Sequence, residues 1–255
     1  MKKQYPILEF DHDKKAMIEP HYAAKPIPDI PERAVICFFQ EVIDHFRSEN
    51  LLQEITSLKS EIGSHPIYKY SFADQDICIY HPGVGAPFAT AMLEEVISLG
   101  CRKFIVCGGA GVLDSSLATG RLIVPVSAVR DEGTSYHYLP PGREVRPSEK
   151  ALQAVISVLK KRQIDFIETK TWTTDSIYRE TKAKVKLRRS EGCLAVEMEA
   201  AALFAAARFR GVELAQILYS GDNLDAEKWD GRGWQDNRPV REKLTVLAAE
   251  CCLEI

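Results

Sequence analysis

Two carboxylates stand two residues apart in Val196-Glu197-Met198-Glu199, immediately before the alanine run Ala200-Ala201-Ala202. The pattern reads as a strand turning into a buried helix, with both acids at the helix start. Carboxylates are costly to bury without partners. A sugar diol would satisfy one, because each hydroxyl donates a hydrogen bond to it. A carboxylate in that place also stabilises positive charge developing on a sugar ring during glycosyl transfer. An acidic first helical turn, which complements the helix dipole, accounts for the same spacing without a ligand.

A third acid, Asp222, lies in Ser220-Gly221-Asp222-Asn223, directly after an apolar run over 212–219. An acid at the carboxyl end of a strand is placed for general acid work, and a helix N-cap is the alternative. Two glycine turns complete the set. His81-Pro82-Gly83-Val84-Gly85-Ala86-Pro87 sits between a strand and a helix, where free N–H groups meet a ligand. Cys107-Gly108-Gly109-Ala110-Gly111 carries three glycines in four positions, an N–H-lined loop able to hold an anion or the polar edge of a base. No Gly-Lys-Ser/Thr follows it and it is not GxGxxG, so nucleotide-binding loops of those two kinds are excluded.

The elements that must position these groups alternate. Strands are expected over 34–39, 67–70, 77–80, 103–107, 122–129, 166–172 and 212–219. Helices are expected over 88–99, 148–162, 181–189, 198–209 and 241–253, with Ser148 as an N-cap behind Pro147. The alternation predicts one α/β domain, three-layered α/β/α with a mixed central sheet, over 33–255. Residues 1–32, marked by Pro20, Pro26, Pro28 and Pro31, are expected to form an N-terminal arm laid on the domain or on a partner subunit. Ligands of such sheets bind outside the strand carboxyl ends, where all four chemical segments fall. The run Lys182, Lys184, Lys186, Arg188, Arg189 reads as a solvated helix face. The loop holding Trp229, Asp230, Arg232 and Trp234 reads as a lid or a subunit contact.

Lys and Arg total 33 against 36 Asp and Glu, a formal net charge of −3 that argues against a nucleic-acid partner. The chain has 45% hydrophobic and 27% charged residues, the balance of a folded globular domain. No apolar run is long enough for a membrane span, and the first residues lack the apolar core of a signal peptide. The 7 cysteines follow no disulfide or metal spacing. A cytoplasmic protein with reduced thiols and no metal is expected.

The four segments, in this order, resemble the nucleoside phosphorylase family, which includes purine nucleoside phosphorylases, uridine phosphorylases and methylthioadenosine nucleosidases. Val196-Glu197-Met198-Glu199-Ala200-Ala201 is similar to its ribose-binding hallmark. Gly83-Val84-Gly85-Ala86-Pro87 is similar to its first glycine turn. Val129-Arg130-Asp131-Glu132-Gly133-Thr134-Ser135-Tyr136-His137-Tyr138 looks most like the uridine phosphorylase branch. The resemblance spans about residues 67–222. It implies cleavage of an N-ribosidic bond through an oxocarbenium-like transition state, by a homo-oligomer (dimer or hexamer) acting on a nucleoside without a cofactor, phosphate being co-substrate in phosphorolysis. Met198 would lie beneath the ribose, Glu199 would accept its hydroxyls and Glu197 would support the site. Gly109 would face phosphate, Ala110 and Gly111 the base, and Trp172 would stack on the base. Asp222 would protonate a leaving purine.

Three departures bear on the nucleophile and the base. In place of the family's N-terminal Gly-Asp-Pro loop and its Arg there is only Lys25-Pro26-Ile27-Pro28-Asp29. Val106 and Gly109 stand where phosphorolytic members carry an Arg and a Ser or Thr. A phosphate dianion would then need Arg33, Arg130 or Arg179 instead. Ile177-Tyr178-Arg179-Glu180-Thr181 lacks the Gln of the uracil-reading pair. The expectation is phosphorolysis; hydrolysis by water and nucleoside binding without turnover are the alternatives. Asp222 leans toward purine, the Arg130–Tyr138 stretch toward pyrimidine.

Overall fold

Short apolar runs separated by turns produce ten strands and six helices in the computed structural model, which describes residues 2–255. Strand β1 (Arg33–Cys37) feeds helix α1 (Gln40–Ser48). The hairpin β2 (Leu52–Ser60) and β3 (Gly63–Phe72) follows, and β4 (Gln75–Tyr80) returns antiparallel to β3. Helix α2 (Ala86–Leu99) leads into β5 (Lys103–Val112) and then β6 (Leu122–Asp131). The two-residue β7 (Glu144–Val145) precedes α3 (Glu149–Lys161), β8 (Phe166–Thr174) and α4 (Lys182–Ser190). Strand β9 (Cys193–Glu197), α5 (Ala200–Arg210), β10 (Glu213–Asn223) and α6 (Arg238–Leu253) complete the chain.

All strands join one mixed sheet in the order β10-β6-β8-β9-β5-β1-β4-β3-β2, with β7 on β6. Strand β10 also pairs parallel to β5. The five strands β5, β10, β6, β8 and β9 therefore close on themselves, while β1, β4, β3 and β2 extend from them as an open wing. This is the predicted mixed α/β domain, with a closure that element order alone does not reveal.

Period-two alternation divides the core between two faces. In β1, Val35 and Cys37 join the cluster under α1, α3 and α6, whereas Ala34 and Ile36 join the one under α2 and α5. Burial on both faces explains why that strand reads as an unbroken apolar run. Ser148 caps α3 as expected, its Oγ accepting the Ala151 N–H at 3.4 Å. Helix α1 and strand β2 were not expected. In α1, apolar Val42, Ile43 and Phe46 are spaced among polar residues, and β2, at the edge of the wing, is half-buried over most of its length with only Leu58 fully buried.

The arm lies on its own domain. Ile27 N–H donates to Leu99 O at 3.0 Å, Ser98 Oγ donates to Ala24 O at 2.6 Å, and Glu19 stands 3.8 Å from Arg210 of α5. The basic helix α4 keeps Lys182, Lys186 and Arg189 exposed, as expected of a solvated face, but not all of the run is solvated. Arg188 is buried and bonded to Asp131 and Glu191, and Lys184 also reaches Asp131. All seven cysteines are free and buried, and no helix among the described residues is long and apolar enough to cross a membrane.

Candidate active site

The carboxyl ends of β4, β5, β8 and β10 converge where β9 runs into α5. Antiparallel pairing sets Gly111 of β5 opposite Val196 of β9, and parallel pairing sets Thr173 of β8 beside Glu197. The strand-to-helix junction thus lands on the glycine segment.

Glu197 is buried and fully used. Its Oε2 accepts the N–H groups of Glu199 at 2.7 Å and Ala200 at 2.6 Å. Its Oε1 accepts the hydroxyls of Thr173 at 2.6 Å and Thr171 at 3.3 Å. Burial pushes its carboxyl above the usual range, and these donors pull the other way. Glu197 therefore supplies the helix-start acceptor that satisfies the first N–H groups of α5. It has no lone pair direction left for a ligand to exploit cheaply.

Glu199 is the carboxylate with spare capacity. It is buried, and its Oε1 accepts the Gly85 N–H at 2.6 Å. The backbone N–H of Met198 is the second donor that acts on this carboxyl. Burial, reinforced by the Glu197 charge, pushes its carboxyl up to about 8, with the Gly85 N–H holding it down. Gly85 adopts φ +90°, a left-handed conformation that aims its N–H at Glu199 and that a side chain would strain. The first glycine turn and the carboxylate pair, 114 residues apart, are joined by that one bond.

Asp222 lies at an irregularity in β10, where the register against β5 shifts between Ser220 and Asn223. Bulges of this kind re-aim side chains. Its Oδ2 accepts the Trp229 indole N–H at 2.7 Å. Its Oδ1 lies close over Gly111, where an added Cβ would come within 3.2 Å of it and 2.6 Å of Leu224 Cδ1. Gly111 is thus a close-approach glycine. Asp222 belongs to the strand and is not a helix N-cap. The Trp229–Trp234 loop folds onto it from outside, and Trp234 O accepts from Tyr219 Oη at 3.0 Å and from Arg241 at 2.8 Å.

The remaining candidates divide. Met198 is half-buried between the two acids. Gly109 is open to solvent beside the Tyr219 ring, and Ala110 is buried with its carbonyl against Gly221. Trp172 is not available to stack on a base. It is fully buried with Leu113, Val129, Val185 and Cys193 on the other side of its strand from Thr173, and its indole N–H donates to Asp131 at 2.9 Å. Two-residue alternation along β8 explains this: Thr171 and Thr173 face Glu197, so Trp172 must face away.

The three substitute arginines are not gathered. Arg33 pairs with Lys103 at the opposite end of the sheet. Arg130 spends its donors on Ser135, Leu139 and Pro140. Arg179 is exposed. Lys25–Asp29 precedes β1 and lies against the end of α2, remote from the site. The segment actually next to the glycines is Phe38, whose N–H donates to Cys107 O at 3.1 Å and whose ring covers Gly108. A cleft between α1 and the β2–β3 hairpin brings Arg47, Gln40 and His65 beside His81. His81 Nδ1 accepts the Gly83 N–H at 3.0 Å, and burial holds its imidazole below the usual range. Sequence reasoning missed Thr171, Thr173 and Phe38. The alternation in Thr171-Trp172-Thr173 was the available signal for the two threonines.

A family model described as "Phosphorylase superfamily" matches residues 32–253. A guanosine phosphorylase of Halorubrum lacusprofundi is 28% identical over 194 residues, 76% of this chain and 80% of that protein. A purine nucleoside phosphorylase from Toxoplasma gondii superposes with a TM-score of 0.77 at 20% identity, covering 91% of this chain and 97% of that one. An AMP nucleosidase from Bacteroides thetaiotaomicron superposes with a TM-score of 0.70 at 19% identity, over 88% and 87%. The chain belongs to the phosphorylase superfamily, as an enzyme of the nucleoside phosphorylase family.

Proposed function

We propose that the enzyme cleaves the N-ribosidic bond of a purine nucleoside by phosphorolysis, releasing free base and ribose-1-phosphate. The observation that carries the reading is Glu199: a buried carboxylate anchored by the Gly85 N–H, with fewer donors on it than a carboxylate can accept and so room for a ribose hydroxyl. As the C1′–N9 bond breaks, its electron pair stays with the base and positive charge grows on the ribose ring. In its ionised form, which becomes the major one above about pH 8, Glu199 next to the sugar stabilises that charge. Asp222 delivers a proton to N7 of the departing base, and a phosphate oxygen forms the new bond to C1′. Met198 packs beneath the sugar, and Ala110 and Gly111 line the base.

Purine is favoured over pyrimidine on two grounds. Asp222 is held by Trp229 at the site, where a leaving purine needs an acid. Arg130, the charged residue of the pyrimidine-like stretch, is folded back onto its own loop. Phosphate finds its cation in the cleft of Arg47, Gln40, His65 and His81 beside Gly83. The guanosine phosphorylase and purine nucleoside phosphorylase relatives support this reading.

Hydrolysis is the second reading, and the engagement or remoteness of Arg33, Arg130 and Arg179 favours it. Base release from inosine, adenosine and uridine, with and without phosphate, separates the two. Phosphorolysis requires phosphate and yields ribose-1-phosphate; release at equal rate without phosphate makes water the nucleophile.

A further inference from the structure

The turn between β4 and α2 is soft by composition. Gly83 and Gly85 both adopt left-handed backbone, at φ +79° and +90°, and Val84 between them is 67% exposed. Two glycines in three positions leave an unpinned turn many conformations. Gly85, the residue before α2, has no side chain with which to cap that helix. Among the described residues, two side chains accept hydrogen bonds from the turn. Glu199 Oε1 takes the Gly85 N–H at 2.6 Å, and His81 Nδ1 takes the Gly83 N–H at 3.0 Å. The Phe88 ring closes on Gly83, where an added Cβ would meet its Cδ1 at 1.9 Å. The N–H that Glu199 uses is therefore fixed, two residues upstream, by an imidazole nitrogen.

We propose that His81 is a positioning residue: as a neutral acceptor it fixes Gly83, and through it the Gly85 N–H that orients Glu199. This rests on the reading of Glu199 as the ribose carboxylate. An Nδ1 that accepts carries no proton, so the ring is neutral with its hydrogen on Nε2. Protonation would set an Nδ1–H against the Gly83 N–H, donor against donor, and release the turn. The surroundings oppose that. Burial holds the imidazole below its usual range, and His65 on β3 adds to the lowering. The Phe38 backbone and the charges of Glu41 and Asp44 on α1 pull the other way. Arg47, which lines the same cleft, is a further positive charge against a protonated ring. In this cleft the cation is Arg47, and His81 serves the turn.

The test is the pH profile of kcat/KM for the ribonucleoside that the wild type cleaves best. Burial and the charges of Glu197 and Asp175 raise the Glu199 carboxyl, while the Gly85 N–H holds it down. Activity should therefore rise with pH as Glu199 ionises, with its midpoint at about 8. His81→Leu removes the acceptor. Its kcat/KM is expected to fall about tenfold, and its midpoint to move to higher pH, because the Gly85 N–H no longer bears on Glu199. His81→Asn, whose side-chain oxygen takes the place of Nδ1, is expected to restore both. If His81→Leu does not fold, His81→Gln, whose amide lies one carbon further out, replaces it with the same expectation. An unmoved midpoint on loss of the acceptor, or no recovery in His81→Asn, overturns the proposal. So does a wild type that gains on His81→Asn as pH falls through the ordinary imidazole range near ~6.5, which is the mark of a cation for phosphate. These outcomes leave the reading of Glu199 standing. No base release by the wild type from inosine, adenosine or uridine at any pH overturns that reading, and the proposal with it.

Discussion

Thr173 and Glu197 stand side by side on parallel strands, and the Thr173 hydroxyl donates to Glu197 Oε1 at 2.6 Å while accepting the Ala201 N–H at 2.9 Å. One hydroxyl thus ties β8, β9 and the first turn of α5 together. Glu197 is held in place so that Glu199, two residues on, is free for a ligand.

Glu197→Ala should act on stability more than on substrate contacts. It strips the acceptor from the Glu199 and Ala200 N–H groups and from two buried hydroxyls. A loss of about 2–4 kcal/mol is expected in urea unfolding. Glu197→Gln, which keeps one acceptor oxygen, should lose less.

Glu199→Ala should lower kcat/KM for a ribonucleoside about a hundredfold or more, since each hydrogen bond to a charged group is worth about 1.5–3 kcal/mol. The 2′-deoxyribonucleoside, with one hydroxyl fewer to lose, should suffer less. Equal losses for both sugars would remove Glu199 from the ribose.

Asp222→Asn should slow purine release about 10²–10⁴-fold in kcat. Trp229→Phe deletes the N–H that holds Asp222 Oδ2 and should lower kcat about tenfold with little change in KM. Steady-state kinetics on the better purine nucleoside measures both. Wild-type kcat in Asp222→Asn would show that Asp222 serves only the loop.

Because of Glu199, stability should fall as pH rises from the ordinary carboxylate range toward about 8. Its folded carboxyl is raised above the unfolded one, so the folded state keeps a proton that the unfolded chain has already released. The stabilisation from that group is complete at acid pH, below its unfolded value, and is lost as the pH passes the folded value. Urea unfolding should show a steeper decline from pH ~5 to ~8 in the wild type than in Glu199→Gln, with the difference levelling off above pH ~8. Parallel declines would mean that other groups dominate.

Much of the fold was legible because its strands are buried on both faces. Runs such as Ala34–Cys37 and Phe104–Cys107 have no polar residue to blur them, and Ser148 announces α3 through its capping geometry. Strand β2, lying at the sheet edge with polar residues at most positions and only Leu58 fully buried, carried no such pattern. Helix α1 was hidden because its Val42, Ile43 and Phe46 follow directly on the apolar run of β1.

The carboxylate pair proposed for the ribose was legible in local sequence alone. Glu197 and Glu199 act through a strand-to-helix turn spanning six residues, so their types and spacing carry the geometry with them. What surrounds them was decided only by tertiary structure. Alternation along β8 sends Trp172 into the core while Thr173 meets Glu197. The closure of β10 onto β5 brings Asp222 over Gly111, more than a hundred positions earlier. Such pairings depend on which strands neighbour one another in the sheet, and on which face each side chain leaves, and neither is written in the spacing of a single motif.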